Sequence, residues 1–214
     1  KDQLIHFFHV ATGQKVDFPA FLTEYSDNYS VTWGREQIFG RTDPIRPYSS
    51  TGRDIQVAFD VLAHNIEKAK ENMAKFSLLT QMLYPVYSAP LAGEGSSFGR
   101  TIKSPPIMRV KFANLIQAAS GDGGLLGCIE GFQFNPKADS GYFTENNGNI
   151  YPVSFNISFR FGPLHEQEIG WASETRQFIS GEFPYSMNRA QSLTVAKTSG
   201  RGAVAGNLED RSLG

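Results

Sequence analysis

This chain of 214 residues has one cysteine and four histidines, and its apolar runs are too short to cross a bilayer. A single cysteine, Cys128, excludes an intramolecular disulfide. Its surroundings, LLGCIEGF, indicate a small buried side chain and not a reactive thiol. The sequence shows no signal-peptide pattern, and we expect no membrane insertion by this chain. It begins at Lys1 and not at Met, which leaves the extent of its N-terminus open.

Charge is also scarce. Charged residues make up 19% of the chain, and 20 Lys and Arg balance 21 Asp and Glu. Proteins that bind nucleic acid generally carry a basic excess, so this balance argues against that class. Aromatic residues are abundant by contrast, at 13%, with 17 Phe. We therefore expect apolar surface that must be covered, part of it between subunits.

No combination of side chains predicts a catalytic or metal site. His6 and His9 are three residues apart on a predicted strand, so they should point to opposite faces. The cluster HEQE at 165–168 has one histidine where a helical zinc-protease motif needs two. The carboxylates Asp54/Asp60 and Glu130/Asp139 could be acid–base pairs, but their spacing does not show that the side chains converge. Serines 96–97 and the GDGG turn at 121–124 lack the strand-to-helix context of a nucleophile elbow or a phosphate loop. We expect neither an enzyme nor a bound cofactor or metal.

The hydrophobic pattern predicts a mainly β, antiparallel fold with one helix packed on it. Two-residue alternation and apolar runs predict strands over 4–10, 16–22, 30–39, 54–60, 107–115, 125–134 and 153–161. Pro19 should confine its strand to an edge, and Gly127 or Gly131 should mark a bulge. One apolar stripe predicts a helix over 66–83, capped by Asn65 and ended by Pro85.

Two loops between predicted strands, 40–52 and 135–149, are longer than a hairpin needs. Either they are merely flexible, or they contact other subunits. Pro44 and Pro47 favour the second interpretation because they stiffen the first loop. The expected contact residues are Arg41, Asp43, Arg46, Tyr48, Tyr142 and Phe143. After 171 the periodicity weakens, so we expect one domain over 1–171 and an extension over 172–214 that orders against a neighbour or remains mobile.

Several segments together resemble one known family. FGRTDPIRPYSSTGRDIQVAFDV, QMLYPVY, SPPIMRVKFANLI, LLGCIEGFQFNP and IYPVSFNISFRFGPLHEQEIGW occur in the order seen in baseplate proteins of contractile-tailed bacteriophages. Within that group the chain resembles the tail-tube initiator, a tube-like baseplate protein on which the tail tube polymerises. The resemblance covers roughly residues 15–171.

This resemblance implies a tail-tube-like antiparallel β-sandwich or small barrel with a flanking helix, in a virion protein of the tail baseplate. The protein would assemble in the host cytoplasm as a homo-hexameric ring, and the strands of its subunits would join in a ring-shaped inner β-barrel. It would contact the tail tube and baseplate hub proteins, and phage DNA would pass through its lumen without specific binding. The short polar faces of two predicted strands fit such a lumen, because a strongly basic wall would bind phosphates. The candidate lumen residues are Asp54, Gln56, Asp60, Ser154, Asn156 and Ser158.

Other functions remain open at this point. A main tail tube or tube terminator subunit, or the tube of a phage-derived injection machine, would share this pattern. A carbohydrate- or receptor-binding β-sandwich needs exposed aromatic clusters, and the chain has two tryptophans, Trp33 and Trp171. An enzyme is the weakest alternative.

Overall fold

A computed structural model describes residues 3–88, 101–119, 123–146, 148–180 and 183–185. Residues 89–100 with serines 96–97, the first half of the GDGG turn and the part of the expected extension from 186 onward lie outside the described residues. In the described part, the fold is mainly β with a single α-helix, which confirms the expected class.

Eleven strands and one helix follow each other along the described chain. They are β1 (Leu4–His9), β2 (Lys15–Pro19), β3 (Phe21–Trp33), β4 (Tyr48–Leu62), α1 (Ile66–Gln81), β5 (Val86–Tyr87), β6 (Ile102–Ser104), β7 (Ile107–Phe112), β8 (Leu125–Pro136), β9 (Tyr142–Thr144), β10 (Ile150–Pro152) and β11 (Ser154–Pro163). A short 3-10 turn, Ala138–Ser140, lies between β8 and β9.

Seven of these strands form one antiparallel sheet in the order β2-β1-β7-β8-β11-β4-β3. The sheet folds back on itself, since aromatic side chains from its two halves meet. The ring centroids of Phe7 and Phe159 are 5.5 Å apart, and those of Phe18 and Phe59 are 6.1 Å apart. The core therefore lies between β1–β2 on one side and β4–β11 on the other, as in a sandwich made from a single sheet.

The alternation in β4 and β11 follows the predicted pattern. The buried face of this strand pair consists of Ile55, Val57, Phe59, Val61, Phe155, Ile157, Phe159 and Phe161. Pro19 lies in β2, which is an edge strand as expected. Gly131 has a φ of +60° beside the shift in the β8–β11 pairing, so the bulge falls at Gly131. Gly127 serves close packing, because a Cβ there would lie 2.4 Å from the carbonyl oxygen of Gly162.

The helix begins where its cap predicts. The Asn65 side chain accepts a hydrogen bond from the backbone N–H of Lys68 at 2.7 Å. Ala69 and Leu79 are buried residues of α1, and Phe76 of the same helix packs on the aromatic side chains of the sheet. The Phe76 ring lies 4.2 Å from that of Phe134. The apolar stripe of the helix therefore covers the sheet, as its periodicity predicts.

Two strand boundaries differ from the sequence prediction. The strand expected over 30–39 is the end of β3, which begins nine residues earlier at Phe21 and stops at Trp33. Residues 48–52, expected to belong to the first loop, are part of β4. The first loop therefore covers 34–47. Residues 23–29 carry too few aliphatic side chains to show the alternation on which the prediction depended.

We predict that Phe76→Ala lowers the free energy of unfolding by about 3 kcal/mol, because it removes a ring packed between α1 and three aromatic side chains. Urea unfolding measures the loss. The control is Tyr84→Ala, which removes an exposed ring just after the same helix. Equal losses in both variants would show that Phe76 does not hold the helix on the sheet.

Candidate functional site

A polar face lies on the side of β4 and β11 that points away from the core. It carries five of the six candidate lumen residues: Asp54, Gln56, Asp60, Asn156 and Ser158. Part of this face is an open groove of about 270 Å³, lined among others by Gln56, Gln133, Ser158 and Arg160. The structure thus brings these side chains onto one surface.

Ser154 does not share this surface, and its assignment to an open face is wrong for the single chain. The residue is only 5% exposed. The cause is the turn after β8, which wraps the start of β11. The backbone N–H of Lys137 donates to the Ser154 carbonyl at 3.0 Å, and that of Val153 donates to Gly141 at 3.1 Å.

Asp54 and Asp60 of the polar face are each paired with a cation, one on β11 and one just after β8. Arg160 Nε donates to Asp54 Oδ2 at 2.6 Å. Lys137 pairs with Asp60, whose second oxygen accepts from Asn156 Nδ2 at 2.8 Å. Asp54 and Asp60 therefore do not converge as an acid–base pair would. The face has both signs of charge in close contact and offers phosphate groups no free basic strip.

The β3–β4 hairpin extends beyond the rest of the sheet. β11 pairs with β4 only over 55–62, whereas β3 continues to pair with β4 up to Tyr48. We call residues 27–54, with the loop 34–47 at their tip, the hairpin arm. Large apolar side chains are exposed along it, namely Tyr29, Val31, Trp33, Ile38, Phe39, Ile45 and Tyr48. Isolated exposed apolar residues are ordinary, but a concentration of them is typical of a contact surface.

The expected contact residues of the first loop are at this tip. Arg41, Asp43 and Arg46 are exposed in the loop. Tyr48 begins β4, where its ring lies 5.5 Å from that of Trp33 and its hydroxyl is 2.8 Å from Thr51 Oγ1. The loop is closed at its base by two backbone hydrogen bonds of 2.9 Å between Glu36 and Ile45. It is thus an ordered tip on a two-stranded stem.

The second loop is different in kind. Its residues Tyr142 and Phe143 belong to β9, which pairs with β10 as a small separate sheet. This sheet is held to the helix, because Lys70 pairs with Glu145 and lies 5.7 Å above the ring of Tyr151. Tyr142 is exposed and Phe143 is half-buried. Their role in subunit contacts stays a prediction.

Strand β3 is an open edge. It is the last strand of the sheet order, and each of its 13 residues is at least partly exposed. In monomeric proteins an edge strand is usually short, charged or covered by another segment. Its free N–H and C=O groups would otherwise pair readily with another chain. Among the described residues no strand covers this edge. β3 therefore offers a second chain a hydrogen-bonding surface alongside the apolar arm.

A buried ion pair at the base of the arm was not predicted from the sequence. Arg53 donates from Nε and a terminal nitrogen to the two oxygens of Asp27, at 2.9 and 2.6 Å. Their side chains are only 3% and 2% exposed. Asp27 also accepts from the hydroxyls of Tyr29 and Tyr185, at 3.1 and 3.0 Å. One sequence signal was present: Arg53 continues the inward positions of β4, where an unpaired cation would be costly.

This environment determines the ionisation of Asp27. Burial alone raises the pKa of its carboxyl group. The hydrogen bonds and charge of Arg53, with the two tyrosine hydroxyls, outweigh burial and hold the pKa below its usual range. A depressed carboxyl pKa stabilises the fold above the unfolded-state value near pH 4, and this contribution is lost as the pH falls through the folded-state value.

The groups considered for catalysis are engaged elsewhere. His6 is 2.5 Å from Asp17, whereas His9 is buried next to Thr12, so the two histidines do face opposite sides of β1. Glu166 makes a two-point ion pair with Arg109. Over the described ranges, no group of three or more potential ligands is placed to hold a metal ion. No helix in that same part of the chain is long and apolar enough to cross a membrane.

Comparison with known proteins finds similarity to solved structures. No protein-family model and no curated protein match the chain. Among solved structures, it is similar to the SPP1 Dit (gp 19.1) protein, described as a paradigm of the hub adsorption apparatus in phages that infect Gram-positive bacteria. The TM-score is 0.37 and the sequence identity 12%. The similarity covers 74% of this chain and 49% of that one, so the chain spans about half the length of that protein.

We predict that Asp27→Asn costs about 3 kcal/mol of unfolding free energy at pH 7, because it leaves Arg53 buried without a counter-charge. The gap to the unmodified protein should narrow as the pH falls below about 4 and towards the lowered pKa of Asp27, where the folded protein takes up the proton. Chemical unfolding at a series of pH values measures both effects.

The matched control is Asp54→Asn, the same substitution at a half-exposed pair on the neighbouring strand. It should cost less than about 1 kcal/mol. Equal losses at Asp27 and Asp54, or a gap at Asp27 that does not change with pH, would contradict the assignment.

Proposed function

We propose that the chain is a structural subunit of a phage tail baseplate, which forms a six-fold, tube-like ring that initiates or caps the tail tube around the DNA channel. The observation that carries the proposal is the open 13-residue edge of β3, joined to an exposed apolar arm. The ordered series of motifs that resembles tail-tube initiators supports the same conclusion. The number of subunits comes from that resemblance alone.

The geometry favours a head-to-tail contact between copies. The β3 edge and the arm lie at one end of the sheet order, and β2 lies at the other end. A contact between two different surfaces of the same chain generates a closed ring when the rotation permits, and an open filament otherwise. In the proposed ring the β3 edge and the arm of one subunit contact the next, which covers the apolar side chains that a single copy leaves exposed.

The polar face of β4 and β11 would then line the channel. Both of its cations are paired with carboxylates within the chain, so a wall of repeated copies has no continuous basic track. Four carboxylates (Glu24, Asp54, Asp60 and Glu130) and two cations (Lys137 and Arg160) are on or beside it, a net of two negative charges per subunit. DNA would meet a hydrated, weakly repelling wall, which suits passage better than binding.

Other positions in a tail share these requirements. A main tail tube subunit and a tube terminator would need the same open edge and the same polar wall. The initiator assignment follows the resemblance. The partners that we propose, neighbouring tube and hub proteins, would bind the two rims of the ring.

The arm can be tested by shortening its tip. Glu36 and Ile45 form a hydrogen-bonded pair, so residues 37–44 can be replaced by Asn-Gly, which closes a two-residue turn between such a pair. We expect a folded protomer, with an unfolding free energy within about 1 kcal/mol of the original, that no longer assembles into rings or nucleates tubes. Native mass spectrometry and negative-stain microscopy measure the two properties.

The control for this experiment is Tyr87→Ala, which removes an exposed aromatic side chain away from the arm. It should assemble normally. Rings formed with normal yield by the shortened variant would exclude the tip as a contact surface. Failure of the protomer to fold would instead be detected by the unfolding measurement.

The channel face can be tested by neutralising its acids. Asp54→Asn with Asp60→Asn frees Arg160 and Lys137 in each copy, so a six-fold ring gains about twelve positive charges on the wall. We expect particles that assemble but release DNA about tenfold more slowly at low salt, with the difference shrinking as salt rises.

Glu67→Gln with Glu174→Gln gives the same change of charge at exposed positions outside this face. It should leave release unchanged. If both double variants release DNA at the original rate, the polar face does not line the channel, and the ring proposal would have to place another surface there.

A further inference from the structure

The chain after β11 is held at three successive places, of which the first and the third are contacts with the sheet. At the first, the backbone N–H of Leu164 donates to the carbonyl of Leu126 in β8 at 2.7 Å. Next to it, Arg109 of β7 donates to both oxygens of Glu166 at 2.6 and 2.7 Å. Two-point arginine–carboxylate pairs fix orientation as well as distance. The segment is therefore anchored to β7 and β8 before it leaves the sheet.

The second place is a tight reversal over 168–180. The backbone N–H of Ile179 donates to Gly170 at 2.8 Å, and the buried Ser180 hydroxyl donates to the Glu168 carbonyl at 2.9 Å. The rings of Trp171 and Phe178 meet edge to face, 5.5 Å apart. These contacts hold the reversal together within itself and direct the following residues back towards β3 and β4.

The third place is the base of the hairpin arm. The Phe183 ring lies 5.3 Å from the Arg53 guanidinium carbon, on which the Tyr29 ring also packs at 5.5 Å. Phe183 further contacts the rings of His165 and Phe178, at 5.6 and 5.7 Å. The Phe183 and Tyr29 rings also meet each other edge to face at 6.2 Å, and the attraction of a guanidinium to neighbouring rings grows when water is excluded. Tyr185 completes the contact through its hydroxyl bond to Asp27.

These contacts explain how an ion pair stays buried on a two-stranded arm. At Arg53 the strand β11 has already ended its pairing with β4, and Ile55 is the last residue of β4 that β11 pairs. No residue of β4 before Ile55 belongs to the buried apolar core, so the inner side of the arm lies beyond the second sheet layer. Phe183 and Tyr185 supply that cover, and the Asp27–Arg53 pair gives them a charged anchor.

We propose that residues 164–180 and 183–185 form a strap that locks the hairpin arm to the body of the sheet, with Phe183 and Tyr185 as its clasp on the Asp27–Arg53 pair. Without the clasp the arm would pivot where β11 stops supporting it, and its β3–β4 hydrogen bonds would open more often. The strap sets the direction in which the arm presents its tip. This property belongs to the single chain and does not depend on the assembly proposed above.

Hydrogen exchange of the monomeric full-length protein, followed by mass spectrometry, tests the strap. Phe183→Ala removes the ring that packs on Arg53 and Tyr29. Tyr185→Phe removes only the hydroxyl bond to Asp27. The matched controls are Phe39→Ala, which removes a fully exposed ring from the same arm, and Tyr48→Phe, which removes a tyrosine hydroxyl that bonds within the arm.

We expect peptides from 27–33 and 48–54 to exchange about tenfold faster in Phe183→Ala, and by a smaller factor in Tyr185→Phe. Peptides from β1 and β7 should exchange as in the original protein, and both controls should leave the base of the arm unchanged. Arm exchange in Phe183→Ala equal to that in Phe39→Ala would overturn the proposal. Equal acceleration in the arm and in β1 and β7 would also overturn it, because the segment would then be part of the core and not a strap.

Discussion

Strands β3 and β4 run past the last residue of β4 that pairs with β11, and no residue of β4 before Ile55 belongs to the buried core. The outer half of their inner face therefore lies beyond the second sheet layer. β4 has 15 residues, of which eight pair with β11. Over those eight residues, aliphatic and aromatic side chains fill the core between the two halves of the sheet. Beyond them the same inward positions carry Arg53 on β4 and Asp27 and Tyr29 on β3. The change from an apolar to an ionic interior occurs where the covering layer ends.

This length mismatch connects the other features of the chain. An uncovered two-stranded ribbon is marginally stable in water, so the arm needs support from outside the pair. The segment after β11 provides support on the inner face, through rings that exclude water from Arg53. Removing water strengthens the attraction between the two charges, and it also makes the loss of either partner costly. The outer edge of β3 and the tip have no equivalent cover in the described residues, and there we propose the subunit contact.

Much of the fold could be predicted because its patterns are local. Alternation identified β4 and β11 and their buried faces, and Asn65 marked the start of the helix. The first half of β3 was missed because its inward residues are Tyr25, Asp27 and Tyr29, which do not read as a core strand. Their partners are distant in sequence: the Tyr25 hydroxyl donates to the Leu115 carbonyl at 3.1 Å, and Asp27 binds Arg53 and Tyr185.

The residues of the candidate site show the same difference between local patterns and tertiary contacts. The shared face of Asp54, Gln56 and Asp60 followed from the two-residue period of a strand. The pairing of those acids with Arg160 and Lys137 required the register of β4, β11 and β8, which no single segment encodes. Ser154 had the right period for the polar face, but the turn at 137–141 covers it. Period identifies the residues that share a face, and only tertiary contacts decide which of them remain open.

The most direct measurement is electron cryomicroscopy of the assembled particle at a resolution that traces this chain. The account predicts a ring of six copies in which the face with Asp54, Gln56 and Asn156 lines the central channel. The β3 edge and the arm tip of each copy should lie against its neighbour. A single copy in the mature particle, a ring of another order, or a ring with the β3 edge exposed to solvent would contradict it.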